Sequence, residues 1–183
     1  MNYLIIAVAA VVLGCEPVIE NDFELFTIRK GKHYCEQRHP ESLQRNTLQF
    51  SAIFDSSAIY NFEQPGFQDS KNKLLGFSDC NSLHHENSAR FAWQWFNNEI
   101  QIFAYCYANG ERIEAFMGVV EPGENAHYEI VLDRSNYIFK FKGKEIKIAR
   151  GADCSVGGYL LLWPYFGGQV PSPHDVTILI KRF

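Results

Sequence analysis

His84, His85 and Asn87 stand just before a stretch in which Phe91, Trp93 and Trp95 alternate with Ser88, Arg90 and Gln94. After Asn97-Asn98 the chain returns with Ile100, Ile102 and Ala104 alternating with Phe103, Tyr105 and Tyr107. Successive side chains of a β-strand point to opposite faces. With Phe91, Trp93, Trp95 and the aliphatic set turned to a core, Arg90, Gln94, Tyr105 and Tyr107 come out together on the other side. Aromatic planes there suit the apolar C–H face of a pyranose ring, and Arg and Gln suit its hydroxyls or a carboxylate. His84, His85, Asn87, Arg90, Gln94, Tyr105 and Tyr107 are therefore the expected ligand-binding residues. The other reading of this face is a second small core under a covering loop.

The same residue types could break a glycosidic bond beside a uronate. A His or Tyr takes the proton next to the carboxylate while an Arg neutralises that carboxylate; His85, Tyr105 and Arg90 are the candidates for these roles. His84 or His85 with Glu86 or Asp79 could supply oxygen and nitrogen ligands to zinc or calcium. Nothing in their spacing fixes a coordination number, and no metal or other cofactor is expected. Hydrolysis of a glucan needs two carboxylates flanking the scissile bond. The nearest approach is Glu111 and Glu114 at a hairpin end, which argues against it. A later segment, Trp163 to Gly168 followed by Pro171-Ser172-Pro173-His174-Asp175, is read as structural. Its glycines permit a positive-φ turn, and Asp175 is placed to bond backbone amides where the loop ends. Tyr165 and His174 could border the ligand face, although packing is the expected role.

The elements that must position these groups read as strands. Alternation recurs at Leu48, Phe50, Ala52 and Phe54, at Tyr128, Ile130 and Leu132, and at Tyr137, Phe139 and Phe141. It returns at Ile146 and Ile148, at Tyr159, Leu161 and Trp163, and at Val176, Ile178 and Ile180. Between them lie compact turn signals, Asn97-Asn98, Asn109-Gly110 and Lys142-Gly143 among them. Residues 36 to 46 are polar and suit a loop or one helical turn. Short strands joined by tight turns predict an all-β, antiparallel sandwich or barrel.

Fifteen Phe, nine Tyr and three Trp in 183 residues suit cross-strand packing. A net charge of −4 argues against nucleic acid, which demands a basic stripe. At the amino end an apolar run from Leu4 to Leu13 is too short to span a bilayer and suits the core of a secretory signal. Its ending, Val12-Leu13-Gly14-Cys15, resembles the lipobox of bacterial lipoproteins, although no Lys or Arg precedes the run. That resemblance implies removal of residues 1–14 and lipidation of Cys15. It further implies a tether over 15–22, one sandwich domain over 23–183, and a location on the bacterial cell envelope, periplasmic or at the surface. The alternative is an ordinary hydrophobic strand. Cys35, Cys80, Cys106 and Cys154 remain, an even number compatible with disulfides outside the cytoplasm. Cys106 shares a face with Ile100, Ile102 and Ala104 and reads as a buried thiol, leaving one disulfide to be sought among the other three.

Two blocks carry a wider resemblance. They are Gly76-Phe77-Ser78 with His84-His85-Glu86-Asn87-Ser88-Ala89-Arg90-Phe91-Ala92-Trp93, and Pro164-Tyr165-Phe166-Gly167-Gly168 with Pro173-His174-Asp175. Through them the chain, from about Thr47 to Phe183, resembles the concanavalin A-like jelly-roll group, and within it secreted lipoproteins of that architecture. The group holds legume lectins, laminarinase-type glucanases and alginate-lyase-type polysaccharide lyases. The resemblance implies a jelly-roll β-sandwich with a polysaccharide or oligosaccharide as partner. The Gln-x-His strand motif of the alginate-lyase type and the Glu-x-Asp-x-x-Glu run of the glucanases are both missing. Since one fold hosts many activities, three readings stand: a lipid-anchored lectin-like protein, a polysaccharide lyase acting on a uronate glycan, and a non-enzymatic module that binds another envelope protein.

Overall fold

The computed structural model describes residues 22–43, 45–151 and 157–183. The expected signal peptide, the lipidation site Cys15, nearly all of the tether and Cys154 lie outside the described residues. In chain order the strands are β1 (Glu24–Ile28), β2 (Thr47–Phe54), β3 (Asn72–Ser78), β4 (Ser88–Phe96), β5 (Glu99–Ala108) and β6 (Glu111–Val120). Then follow β7 (Ala126–Leu132), β8 (Asn136–Phe141), β9 (Lys144–Ala149), β10 (Leu161–Leu162) and β11 (Val176–Arg182). The only helical pieces described are a 3₁₀ turn at Ser56–Ala58 and one short helix, α1 (Pro65–Gln68). Residues 36 to 43 hold no helix and instead meet the rest through isolated bridges such as Ser42 to Leu160.

Two antiparallel sheets face each other, one ordered β1-β11-β2-β7-β8-β9 and the other β10-β3-β4-β5-β6. This is the antiparallel sandwich that the alternation implied, with the jelly-roll architecture that the resemblance implied. The core between the sheets is aromatic, because the inward residues of β2, β4, β7 and β8 are mostly Phe, Tyr or Trp. Phe50 stacks on Tyr128 with ring centroids 4.9 Å apart, and Phe91 meets Tyr128 and Phe139 edge-on at 5.1 and 5.2 Å. Such contacts add about 0.5–1.5 kcal/mol each to the burial of their surface.

The tight turns follow from their residues. Asn97 and Asn98 both take positive φ, as do Asn109-Gly110 and Lys142-Gly143, so each closes a two-residue hairpin whose twist matches its strands. Asp175 accepts from the Lys30 backbone amide at 2.8 Å and pairs with Arg29. Cys106 and Cys35 are buried free thiols, whereas Cys80 is disulfide-bonded.

Two irregularities shape the outer face of the five-stranded sheet. The register of β3 against β4 runs Lys73 to Ala92 and then Gly76 to Arg90, so β3 carries one extra residue at a bulge. Beyond β3, residues 163–166 run alongside as an edge, bonded through the Lys73 and Tyr165 backbones at 2.7 and 3.0 Å.

Candidate functional site

On the outer face of the five-stranded sheet, register places side chains in rows across β4, β5 and β6. Ser88, Tyr107 and Arg112 form one row, Arg90, Tyr105 and Glu114 the next, and Ala92, Phe103 and Phe116 a third. The first two rows, Glu114 apart, floor a cleft of about 510 Å³. One wall is the edge Leu161–Tyr165 with Gly168, joined by Tyr34 and Arg38; the opposite end holds His84 and His85. Tyr34 is brought there by a β-bridge to Tyr165, itself stacked on His33 at 5.2 Å.

Arg90 lies on the face predicted for it but is not exposed. Only 8 % of it is accessible, because the 163–165 edge covers its side chain. The guanidinium crosses β3 and donates to the Trp163 carbonyl at 2.7 Å. It can cross there because position 76 is glycine. A Cβ at Gly76 would collide with the Ala89 carbonyl oxygen and with Cα and Cγ of Arg90. The Arg90 Nε–H is buried and has no partner, and Arg90 makes no ion pair among the described residues. Burial pulls its pKa down to about 10, with the polarity of Tyr105, Cys35 and Tyr165 partly opposing this. At neutral pH it remains a cation.

The other expected residues divide. Tyr105, Tyr107, His84 and His85 all line the cleft with Arg90. The His84 and His85 rings lie 4.1 Å apart, and His85 packs on Tyr107 at 5.2 Å. Burial, with the positive charge of His85, Arg90 and Lys73, lowers the His84 pKa. Burial, reinforced by a hydrogen bond to Tyr107, pushes Tyr105 well above the usual phenol value and keeps it protonated. Asn87 and Gln94 do not reach the cleft. The Asn87 carboxamide accepts from the Asn109 amide at 3.0 Å and so ties the His84–Asn87 turn to the β5–β6 hairpin. Gln94, expected outward and available, is 2 % accessible and donates to Gln101 at 2.8 Å. At its end of the sheet α1 is tied down through Gln68, which donates to the Trp95 carbonyl at 2.7 Å. Gln94 is thus closed off at that end of the face, and the cleft lies at the end around Arg90.

Asp79, once a candidate metal ligand, is fully buried and gripped by the Arg150 fork at 2.8 and 3.0 Å and by the Tyr137 hydroxyl at 2.9 Å. No trio of His, Cys, Asp or Glu among the described residues is arranged to hold a metal ion. His174 stays outside the cleft, bonded to the Ser57 carbonyl. Tyr165, for which packing is the expected role and bordering the ligand face the alternative, borders the cleft.

Four cationic or tyrosine side chains of the lining escaped sequence reasoning: Tyr34, Arg38, Lys73 and Arg112. The Arg38 guanidinium lies 3.9 Å from the centre of the Tyr34 ring. Arg112 pairs with Glu114 at 3.2 Å, which raises its pKa. Lys73 is mostly buried, and burial together with the nearby Arg90 charge brings it down to about 8. Arg38, Lys73, Arg90 and Arg112 thus line one cleft that holds no Asp or Glu among the described residues, in a chain of net charge −4. Low-dielectric walls focus such a field on an anionic ligand.

No protein-family model matches the chain, and no curated protein matches it. Solved structures do share its fold. Alginate lyase AlyC3 superposes with a TM-score of 0.61 at 11% identity, over 90% of this chain and 75% of that one. The laminarinase catalytic domain from Thermotoga maritima gives 0.59 at 10% identity, over 89% and 76%. An alginate lyase from Alteromonas gives 0.54 at 9% identity, over 93% and 91%. The architecture is the concanavalin A-like jelly roll. At these identities the likeness is one of fold.

Proposed function

We propose that this protein binds a uronate-containing polysaccharide in the cleft, as an exported protein held on the bacterial envelope by a lipid on Cys15. The observation that carries the reading is the cleft's charge and lining: four cations and four tyrosines, with no carboxylate among the described residues. A uronate supplies both halves of the complement, a carboxylate for the guanidinium and ring C–H faces for the tyrosines. A dimannuronate is the ligand of one AlyC3 complex that shares the fold. Glucan hydrolysis fits poorly, since its two carboxylates have no counterpart in the lining among the described residues. A protein-interaction role would call for a broad apolar patch in place of a charged cleft.

A second reading, cleavage of the same polysaccharide by β-elimination, is favoured by one juxtaposition. Arg90 and Tyr105 are register partners on adjacent strands, so a carboxylate-neutralising cation sits beside a phenol that burial keeps protonated. His85, the other candidate, lies exposed at the cleft's end.

The test is calorimetric titration of the soluble form, with Cys15 replaced, against oligomannuronate and against a neutral glucan. Binding to the uronate that weakens steeply with salt, and none to the glucan, is the expected result. Equal affinity for both, or none for either, rejects the proposal. Labelling with a radioactive fatty acid, lost in Cys15→Ser, tests the anchor.

A further inference from the structure

The cleaving reaction needs a base. We infer that Lys73 is that base, taking the C5 proton of the bound uronate while Tyr105 protonates the departing oxygen. This rests on the uronate reading of the cleft and on its second, cleaving form.

Geometry carries the assignment. The β3 bulge turns Lys73 to the same side as Gly76 and Arg90 and into the cleft. Its Nζ donates to two backbone carbonyls, Lys71 at 2.7 Å and Gly167 at 3.1 Å. A tetrahedral nitrogen so held has one vertex left, an N–H when charged and a lone pair when neutral. Nζ stands 5.1 Å from the Tyr105 ring centre and 5.7 Å from that of Tyr165.

The surrounding charges favour the neutral amine. Arg90 on β4, Arg112 on β6 and the preceding Lys71 oppose a further cation; Glu114 on β6 acts the other way but is spent on Arg112. With its pKa near 8, a useful fraction of Lys73 is a free base close to neutrality. The rival bases are worse placed. Tyr105 is held protonated, and both histidines lie at the cleft's exposed end.

The electron count closes without a co-reactant. The neutral Lys73 amine takes the C5 proton, and the C5–H electron pair becomes the C4=C5 double bond. The C4–O4 bond breaks, and O4 takes the Tyr105 phenolic proton. Arg90 bonds the carboxylate, on which negative charge grows as the C5–H bond breaks. Lys73, now an ammonium, returns its proton to the Tyr105 phenolate. One product carries an unsaturated uronate at its new non-reducing end, and the other keeps O4 as the anomeric hydroxyl of its new reducing end.

The experiment uses the soluble full-length mature chain with oligomannuronate, following binding by calorimetry and product by the ultraviolet absorbance of unsaturated uronates. The wild-type rate should climb with pH and level off above about 8. Lys73→Met and Lys73→Arg, checked for folding by circular dichroism, should lose about 10³-fold in kcat while affinity stays within about tenfold. Methylamine should restore part of the rate to Lys73→Ala. Binding without product overturns the role of Lys73 and leaves the binding function standing. Lys73→Arg turning over within about tenfold of wild type also overturns it. Neither binding nor product defeats both readings. If the variants do not fold, the wild-type profile decides: an acid limb near the ordinary histidine range assigns the base to His84 or His85 instead.

Discussion

Replacing Arg90 with methionine separates a functional cation from a structural one. Arg90 gives the fold a single hydrogen bond, to the Trp163 carbonyl, while its Nε–H goes unmet. Burial lowers its pKa from 12.5 to about 10, which corresponds to about 3 kcal/mol of unfavourable charge burial. The folded pKa lies below the unfolded one, so the folded state releases its proton first, and only above about pH 10. At neutral pH the guanidinium is charged in both states and the full penalty applies. Methionine removes the penalty but leaves the Trp163 carbonyl without its donor, at about 1–3 kcal/mol. The variant should therefore be between unchanged and about 2 kcal/mol more stable in urea denaturation followed by tryptophan fluorescence. Its affinity for oligomannuronate should fall by about 10²-fold or more, since the carboxylate loses its buried partner. A destabilisation of about 3 kcal/mol or more would mark Arg90 as a strut and refute the reasoning. So would unchanged affinity.

Gly76→Ala should be worse for folding than Arg90→Met, because its methyl collides with the Ala89 carbonyl and with Arg90 itself. A loss of about 3 kcal/mol or more in urea melts, with binding lost in whatever folds, is expected; a stability within experimental error of wild type would contradict the close approach. Asp79→Ala takes the carboxylate from the Arg150 fork, 7% accessible, and should cost about 3–5 kcal/mol by the same assay. Lys73 links stability to pH in an unusual direction. Its pKa is lower folded than the 10.5 of the free side chain, so above about pH 8 the unfolded chain binds more protons and stability rises with pH. Measured against Lys73→Met, wild type should gain about 2 kcal/mol between pH 7 and pH 10; a flat difference would mean Lys73 titrates normally.

Local chemistry made most of the fold legible. The alternation of Phe91 and Trp93 with Arg90 and Gln94 assigned both faces of β4, and Asn-Asn, Asn-Gly and Lys-Gly pairs located three hairpins that the backbone angles bear out. Asp175 was legible for the same reason, as a short acceptor at the end of a loop. The site was legible in part. Arg90, Tyr105, Tyr107, His84 and His85 meet in one cleft because they belong to two adjacent strands and the turn that feeds them. Asn87 and Gln94 had the right chemistry on the right stretch, yet one is spent on the Asn109 amide and the other is buried beside Gln101.

Lys73 was invisible because strict period-two counting sets it opposite Gly76, and only the bulge brings the two to one side. Tyr34 and Arg38 arrive from far away in sequence, through the bridge from Tyr34 to Tyr165. What the chain determines by itself is whatever depends on neighbours one to four residues apart: strand faces, turns and the paired aromatics. Which cations converge, and how dry each becomes, is decided by the tertiary structure. Burial depends on the edge at Trp163 and the gap at Gly76, which meet Arg90 only once the sheets have formed.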